Sequence, residues 1–492
     1  MTSNVKNNSV REMISEVGRL TASIFESRAN QRPLTAGLDP LALAARFDEK
    51  IPYQGIPAQA VLKSIEDDII PAALNLANPL TFGVMTPHPL PLPAVLDGLI
   101  SALNQNLGCA WRTAPSGVEV ELRTISWLCQ LCGLPPGSGG HFTSGGTASN
   151  LTALRLALHR AFPQARSRGL VGLQSQPVIY VSDQGHFSID RAAGVLGLGE
   201  QNVRKIPSRP DLTMDVDQLA GSIQQDRHKG LAPFAVIGTA GTTANGMIDP
   251  LTQVSEVCAS ENLWFHIDAA YAGALVLSER LKQQLQGIEK ADSVTLDPHK
   301  WMFIPFSLGA LLTRHTHLLR SAFGQDTAYL GGEHMTQADS APSGFYEISL
   351  DGSRRFNGLK LWAAIKHLGI SGLAQIVERQ VGLAQLLYDR LAEVPGIELA
   401  PRSPTNILCF RITPVETDET ARNLLQANFQ QRLEDAVGCW LSNVTIQEKR
   451  FLRLNLLHYD LEREHVDRFL SALKTEIKGW LNTSVHSKIA AE

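Results

Sequence analysis

Two residues of this chain stand where covalent and electrostatic chemistry would need them. Lys300 follows the run Ala291-Asp292-Ser293-Val294-Thr295-Leu296-Asp297-Pro298-His299, an apolar strand pattern closed by a proline and a histidine. Asp268 closes an earlier pattern of the same kind, Trp264-Phe265-His266-Ile267-Asp268-Ala269-Ala270. A lysine amine can condense with an aldehyde, and a carboxylate can pair with a pyridinium nitrogen. Those are the two protein groups that pyridoxal phosphate (PLP) chemistry needs most.

Each residue also has a plainer reading. A strand-end lysine usually keeps its ammonium in water, and a strand-end aspartate often caps the next helix. The joint pattern decides between the readings. The sequence predicts strands at Val178–Ser182, Phe234–Thr239, Leu263–Asp268, Ser293–Leu296 and Leu308–Thr313. His186, Thr243, Asp268 and Lys300 then sit at or just beyond successive carboxyl ends, the edge where open α/β sheets bind ligands. His186 alone would read as a core histidine, and Thr243 as a turn cap. A phosphate site is expected at Thr143-Ser144-Gly145-Gly146-Thr147-Ala148-Ser149-Asn150. Its glycines allow close backbone approach, and the helix that follows offers free N–H groups and a positive dipole end.

The rest of the chain sets bounds. With 492 residues, 44% apolar and 19% charged, it has the composition of a soluble globular protein. A net charge of −4 without a basic block argues against nucleic acid or an anionic membrane as partner. Met1 to Asn8 is polar and does not read as a secretory signal, and no apolar stretch reaches bilayer length. Six scattered cysteines suit a reducing cytoplasm. Cys129 and Cys132 form a C-x-x-C without a second ligand pair, so core packing is expected there and no metal site.

An α/β pattern predicts a large domain over 113–375 and a small α+β domain over 376–483, with a disordered tail at 484–492. Strands at Gly396–Leu399, Ile407–Ile412 and Phe451–Leu456, and a helix from Arg463 to Leu481, are expected in the small domain. Residues 1–112 read as a helical segment. Its first helix is signalled by Ser9 with Glu12 as capping box and by Met13, Val17, Leu20 and Ile24. Prolines 87, 89, 91 and 93 then fix an extended stretch. The polar stretch 325–352 reads as a lid, and Leu359 to Val394 as one long or two consecutive helices.

The motifs around Asp268 and Lys300, with Tyr271-Ala272-Gly273, resemble those of the group II PLP-dependent amino-acid decarboxylases. That family includes aromatic-L-amino-acid, glutamate, histidine and diaminobutyrate decarboxylases. Pro115, Glu119 and Glu121 fit its earlier pattern; Arg354-Arg355-Phe356 and Leu359-Lys360-Leu361-Trp362 fit a later one. The resemblance spans about residues 75 to 475. It implies PLP fold type I, with a large mostly parallel seven-stranded sheet, in a homodimer whose N-terminal segment packs on the partner subunit.

By the same resemblance, Lys300 carries PLP covalently, Asp268 holds the pyridine nitrogen and His186 stacks on the ring. Thr147, Ala148, Ser149 and His299 bind phosphate, with Thr243 near the ring substituents. Tyr329 corresponds to the family's mobile-loop tyrosine, which returns a proton to the substrate carbon. Related aldehyde-forming enzymes carry phenylalanine there, so the tyrosine implies simple decarboxylation.

Departures leave the substrate open. Cys109 is small where the aromatic branch is bulky, Leu107 lies nearby, and Leu76 to His88 offers Phe82 but few other rings. Asp297 stands where that branch has asparagine, and a carboxylate there repels phosphate unless it points away. The expectation is a PLP-dependent α-decarboxylase leaning slightly to an aromatic or histidine-like substrate, with acidic and diamino acids as alternatives. An aminotransferase using Arg453 as carboxylate clamp, a non-catalytic PLP-binding protein and an oxidative aldehyde synthase are the competing readings.

Overall fold

The computed structural model describes residues 10–26, 39–109, 113–324, 344–413 and 418–489. The main sheet contains β1 (Gly139–Thr143), β2 (Pro177–Ser182), β3 (Val203–Ile206), β4 (Ala232–Thr239), β5 (Trp264–Ala269), β6 (Ser293–Leu296) and β7 (Gly309–Thr313). Its order is β1-β7-β6-β5-β4-β2-β3. The β3-β2-β4-β5-β6 run is parallel, and β7 lies antiparallel between β6 and β1. This is the α/β architecture of fold type I, and the five expected strands fall within two residues of their observed ends.

These strands read as apolar runs because both sheet faces are covered. Val178, Tyr180, Val236, Phe265, Ile267 and Val294 join the core on one face. Their neighbours Ile179, Val181, Ala235, Ile237 and Trp264 join another on the opposite face. The helices Pro115–Leu131 and Gly358–Ala392 bury Ile125, Leu128, Leu361 and Ala364 in the first core. Gly369, at φ 68°, breaks the second of these helices into two segments. Cys129 and Cys132 are buried in the same core, and burial pushes the Cys129 thiol up to about 12.

The motif residues Glu121 and Arg354 meet in a buried ion pair of 2.7 Å. Glu121 also accepts from the Phe142 N–H at 3.0 Å, and Arg354 donates to the Phe142 carbonyl at 2.5 Å. The pair therefore pins β1, whose end leads into the glycine-rich turn. A buried charge left without its partner is strongly destabilising, so loss of either member alone is expected to cost more than loss of the pair. Arg355 points elsewhere, to Asp97 at 2.8 Å and Ser101 at 2.8 Å on the helix Pro91–Leu103.

The second sheet, β8 (Ile397–Leu399), β9 (Ile407–Ile412), β10 (Ser442–Ile446) and β11 (Lys449–Asn455), is antiparallel in the order β10-β11-β9-β8. Its core includes Phe410, Leu452, Leu454 and Phe469, and it takes in Leu80 and Phe82 from far upstream. The last helix, Arg463–Ile489, runs past Leu481 through the stretch expected to be a tail. The first helix, Val10–Glu26, buries Leu20 and leaves Val10, Ile14 and Val17 exposed. Ser9, the expected cap, lies outside the described residues. Among the described residues no helix is long and apolar enough to cross a membrane.

Burial makes the fold acid-sensitive. Desolvation pushes His88, His266 and His299 down to about 4, and His141 and His458 down to about 3, from an ordinary 6.5. Between pH 6.5 and 4 the unfolded chain binds protons at these sites that the folded chain refuses, so stability falls as pH drops through that window. Asp249, raised to about 6 by burial, and Glu121, also raised, act in the opposite sense and offset part of the loss. The melting temperature is expected to fall by several degrees between pH 7 and 5, with a shallower fall in His458→Gln. Differential scanning fluorimetry across that range checks this; a flat profile contradicts it.

Candidate active site

The carboxyl ends of β2, β4, β5 and β6 open on one cavity of about 360 Å³. Its walls include Thr147, Ala148, His186, Thr243, Asp268, His299 and Lys300, so the structure brings these sequence-derived candidates together. The register explains the convergence. Thr239, Asp268 and Thr295 are direct neighbours across β4, β5 and β6. The turns that follow carry Thr243, Ala270 and the Asp297–Lys300 segment to the same edge. Gly241 is needed in the turn after β4, because it has φ 91° and a Cβ there would lie 2.8 Å from Ala272.

Asp268 is 6% exposed, and among the described residues no cation pairs with it. Its Oδ1 accepts from the Ala270 N–H at 3.2 Å, and its Oδ2 from the Asn150 amide at 2.8 Å. A buried carboxylate stripped of water needs a cationic partner, and the one missing here can come from a ligand. His186 accepts at Nδ1 from the Ser188 N–H at 3.2 Å and lies 2.8 Å from its hydroxyl. Burial lowers the His186 pKa against the pull of Asp268. The ring is thereby held neutral, with Nε2 carrying the proton.

Lys300 Nζ lies 3.0 Å from Asp297 Oδ2, and its side chain is about three-quarters covered. The carboxylate that sequence placed near the phosphate site therefore faces the lysine. Asp297 also stands 3.6 Å from His299 Nε2, while its Oδ1 is buried without a partner. His299 accepts at Nδ1 from the Leu308 N–H at 3.0 Å, and burial holds it down at about 4. The helix Gly146–Ala161 starts against this segment: a Cβ at Gly146 would lie 2.8 Å from Asp297 Oδ2. A side chain there would displace that carboxylate and crowd the Ala270 Cβ at 3.2 Å.

Not every expected residue meets the cavity. Ser149 is fully buried with its hydroxyl 2.7 Å from that of Thr143, and it does not line the wall. The Ala148 and Ser149 amides both donate to the Gly145 carbonyl, which leaves the helix-start amides of Gly146 and Thr147 nearest a ligand. Tyr329 lies outside the described residues, as do 325–343 of the expected lid; the remainder holds a turn, Phe345–Glu347, with Phe345 buried. Arg453 is buried and donates to the carbonyls of Thr243 at 2.5 Å and Gly83 at 3.1 Å and to the Ser442 hydroxyl. Those bonds brace the small sheet to the cavity rim and take up the guanidinium offered above as a carboxylate clamp. Leu107 and Phe82 are buried in other cores.

Sequence reasoning missed Asn150, Ser188, His266 and Ser293. Asn150 and His266 stood inside quoted motifs, but nothing in a linear pattern says that their side chains point at Asp268 or at one another.

The arrangement fits PLP. An uncompensated buried carboxylate suits a pyridinium, a lysine amine stands across the same cavity, and a helix start with close-approach glycines suits a phosphate. Lys300 would carry the cofactor, Asp268 would face its ring nitrogen, and Gly146, Thr147, Ala148 and His299 would lie nearest its phosphate.

Comparison with known proteins agrees. Residues 40–413 match the pyridoxal-dependent decarboxylase conserved domain. The L-2,4-diaminobutyrate decarboxylase of Rhizobium meliloti is 36% identical over 469 residues, covering 94% of this chain and 89% of that protein. The aromatic-L-amino-acid decarboxylase of Bacillus atrophaeus is 31% identical over 424 residues, covering 86% of each. The crystal structure of Oryza sativa TDC with PLP and tryptamine superposes with a TM-score of 0.89 at 25% identity, covering 97% of this chain and 99% of that one. With the cavity, the buried Asp268 and the lysine turn in place, the match over most of its length makes this chain a member of the pyridoxal-dependent amino-acid decarboxylase family, a PLP-dependent carboxy-lyase.

Proposed function

We propose that the chain decarboxylates an L-α-amino acid with a short polar side chain, of the 2,4-diamino class before the aromatic one. The position of Phe82 carries this reading: the ring that sequence offered for an aromatic wall is withdrawn into the core of the second sheet and does not line the cavity. The 36% identity to the Rhizobium meliloti diaminobutyrate enzyme over most of both chains supports it. The aromatic reading is the second, supported by the resemblance to the Bacillus atrophaeus and Oryza sativa proteins.

Bound PLP supplies an electron-withdrawing ring that accepts the pair left by departing CO2. The protein's part is electrostatic and positional. Asp268 presents negative charge where positive charge must be held, an effect worth most in a site shielded from water. The Asp297 carboxylate keeps the Lys300 amine at the cavity wall. His186, fixed by Ser188, presents a rigid flat face to the cavity.

Two further readings go with this one. The exposed apolar side chains of Val10, Ile14 and Val17, with Leu41, Ile51, Tyr53 and Ile56, support a homodimer built on the N-terminal segment. Six free cysteines support a reducing compartment such as the cytoplasm.

Incubation of PLP-loaded enzyme with the twenty amino acids, 2,4-diaminobutyrate and DOPA, read by mass spectrometry, is expected to show CO2 loss from diaminobutyrate first. Turnover of aromatic amino acids alone would replace this reading with the second. Sedimentation equilibrium at micromolar concentration is expected to give twice the 53.6 kDa chain mass; the chain mass itself would refute the dimer.

A further inference from the structure

Asn150 is 1% exposed, sits near the start of the helix Gly146–Ala161 and lines the cavity. Its amide makes three hydrogen bonds, to three different parts of the site. Nδ2 donates to Asp268 Oδ2 at 2.8 Å and to the Ser188 hydroxyl at 2.9 Å, and Oδ1 lies 3.0 Å from His266 Nε2. We propose that Asn150 is the positioning residue that locks Asp268, His186 and His266 into one arrangement, so that the carboxylate and the imidazole of the cofactor site are set by a single side chain. This rests on the PLP assignment but not on the choice of substrate.

The donors and acceptors permit one solution. Asp268 can only accept, so the amide nitrogen must face it. The amide oxygen must then face His266, whose Nε2 therefore carries a proton. The Ser188 hydroxyl, having accepted from Asn150, turns its own proton to His186 Nδ1, which also takes the Ser188 N–H. Behind His266, Nδ1 lies 2.8 Å from the Ser293 hydroxyl and 3.2 Å from its carbonyl, and that hydroxyl accepts from the Trp264 indole at 2.9 Å. Asn150, Ser188, His266 and Ser293 are all at most 1% exposed. Removing the amide takes a partner from each of these groups at once.

A primary amide offers two donor hydrogens beside its acceptor oxygen, and a carboxylate offers acceptors alone. Asn150→Asp keeps the shape yet points an acceptor at Asp268 and at Ser188. A role in packing alone would make Asn150→Asp the mildest change and Asn150→Ala the worst; the positioning role reverses that order.

The test is PLP titration of the apoenzyme, read by the absorbance of the bound cofactor and its pH dependence, with no turnover required. Loss of a hydrogen bond to a charged group costs about 1.5–3 kcal/mol, or roughly 10- to 100-fold. Asn150→Ala is therefore expected to raise the Kd for PLP at least ~10-fold and to shift the cofactor's pH profile. Asn150→Asp should be weaker still, and Ser188→Ala, which leaves the bond to Asp268, should shift the profile with a smaller change in Kd. Wild-type Kd and profile in a folded Asn150→Asp would overturn the proposal. Should neither Asn150 variant fold, Ser188→Ala decides: an unshifted profile overturns the coupling. Failure of the wild type to bind PLP would refute the cofactor assignment itself and is distinct from both.

Discussion

The structure turns on a negative charge buried without a positive one. Asp268 sits at the end of an inner strand in the cavity wall, 6% exposed, and among the described residues it is met by neutral N–H donors from Ala270 and Asn150. Such a group is costly to fold around. Strand β5, buried along its whole length, places it with little freedom. The cost is tolerable where a bound cation completes the site, and binding then stabilises the folded state. The lysine, the glycine turn and the histidine are arranged around that constraint.

The cavity is also a joint between the two sheets. Trp301, next to Lys300, donates to Gln380 at 2.5 Å, and Gln380 donates to the His458 carbonyl at 2.9 Å. Tyr271 stacks on Trp301 with ring centroids 5.2 Å apart, and its hydroxyl lies 2.6 Å from the Asn455 amide of β11 and 2.8 Å from that of Asn406, which precedes β9. Lys360 is buried and donates to the carbonyls of Pro305 and Phe306, just past the lysine turn. The lysine turn is thus tied to the small sheet through buried polar side chains. Geometry at the amine therefore depends on how the small sheet docks.

Much of this was legible in the residues. The inner strands are mostly apolar, the signature of covered faces, although β5 carries His266 and Asp268 and β6 carries Ser293 and Thr295. The three strands that the sequence did not reveal, β1, β3 and β10, are all edge strands. Gly139-Gly140-His141, Arg204-Lys205 and Ser442-Asn443 give them the glycine and polar content that edges carry and that hides a strand pattern. In the site, His186, Thr243, Asp268, His299 and Lys300, singled out by their own chemistry, line one cavity. Asn150, Ser188, His266 and Ser293 were not singled out, because their part depends on which side chains face each other across strands and helices far apart in sequence. Asp297 shows the reverse case: its charge was legible, but its pairing with Lys300 was not. The withdrawal of Arg453 into backbone contacts was equally invisible from position alone.

The most direct test reads where the cofactor attaches. PLP-loaded protein, reduced with borohydride, digested and mapped by mass spectrometry, should carry one pyridoxyl group on the peptide containing Lys300. In Asp268→Ala that labelling should weaken sharply at limiting PLP. Labelling on another lysine, or equal labelling with and without the Asp268 carboxylate, would contradict the account.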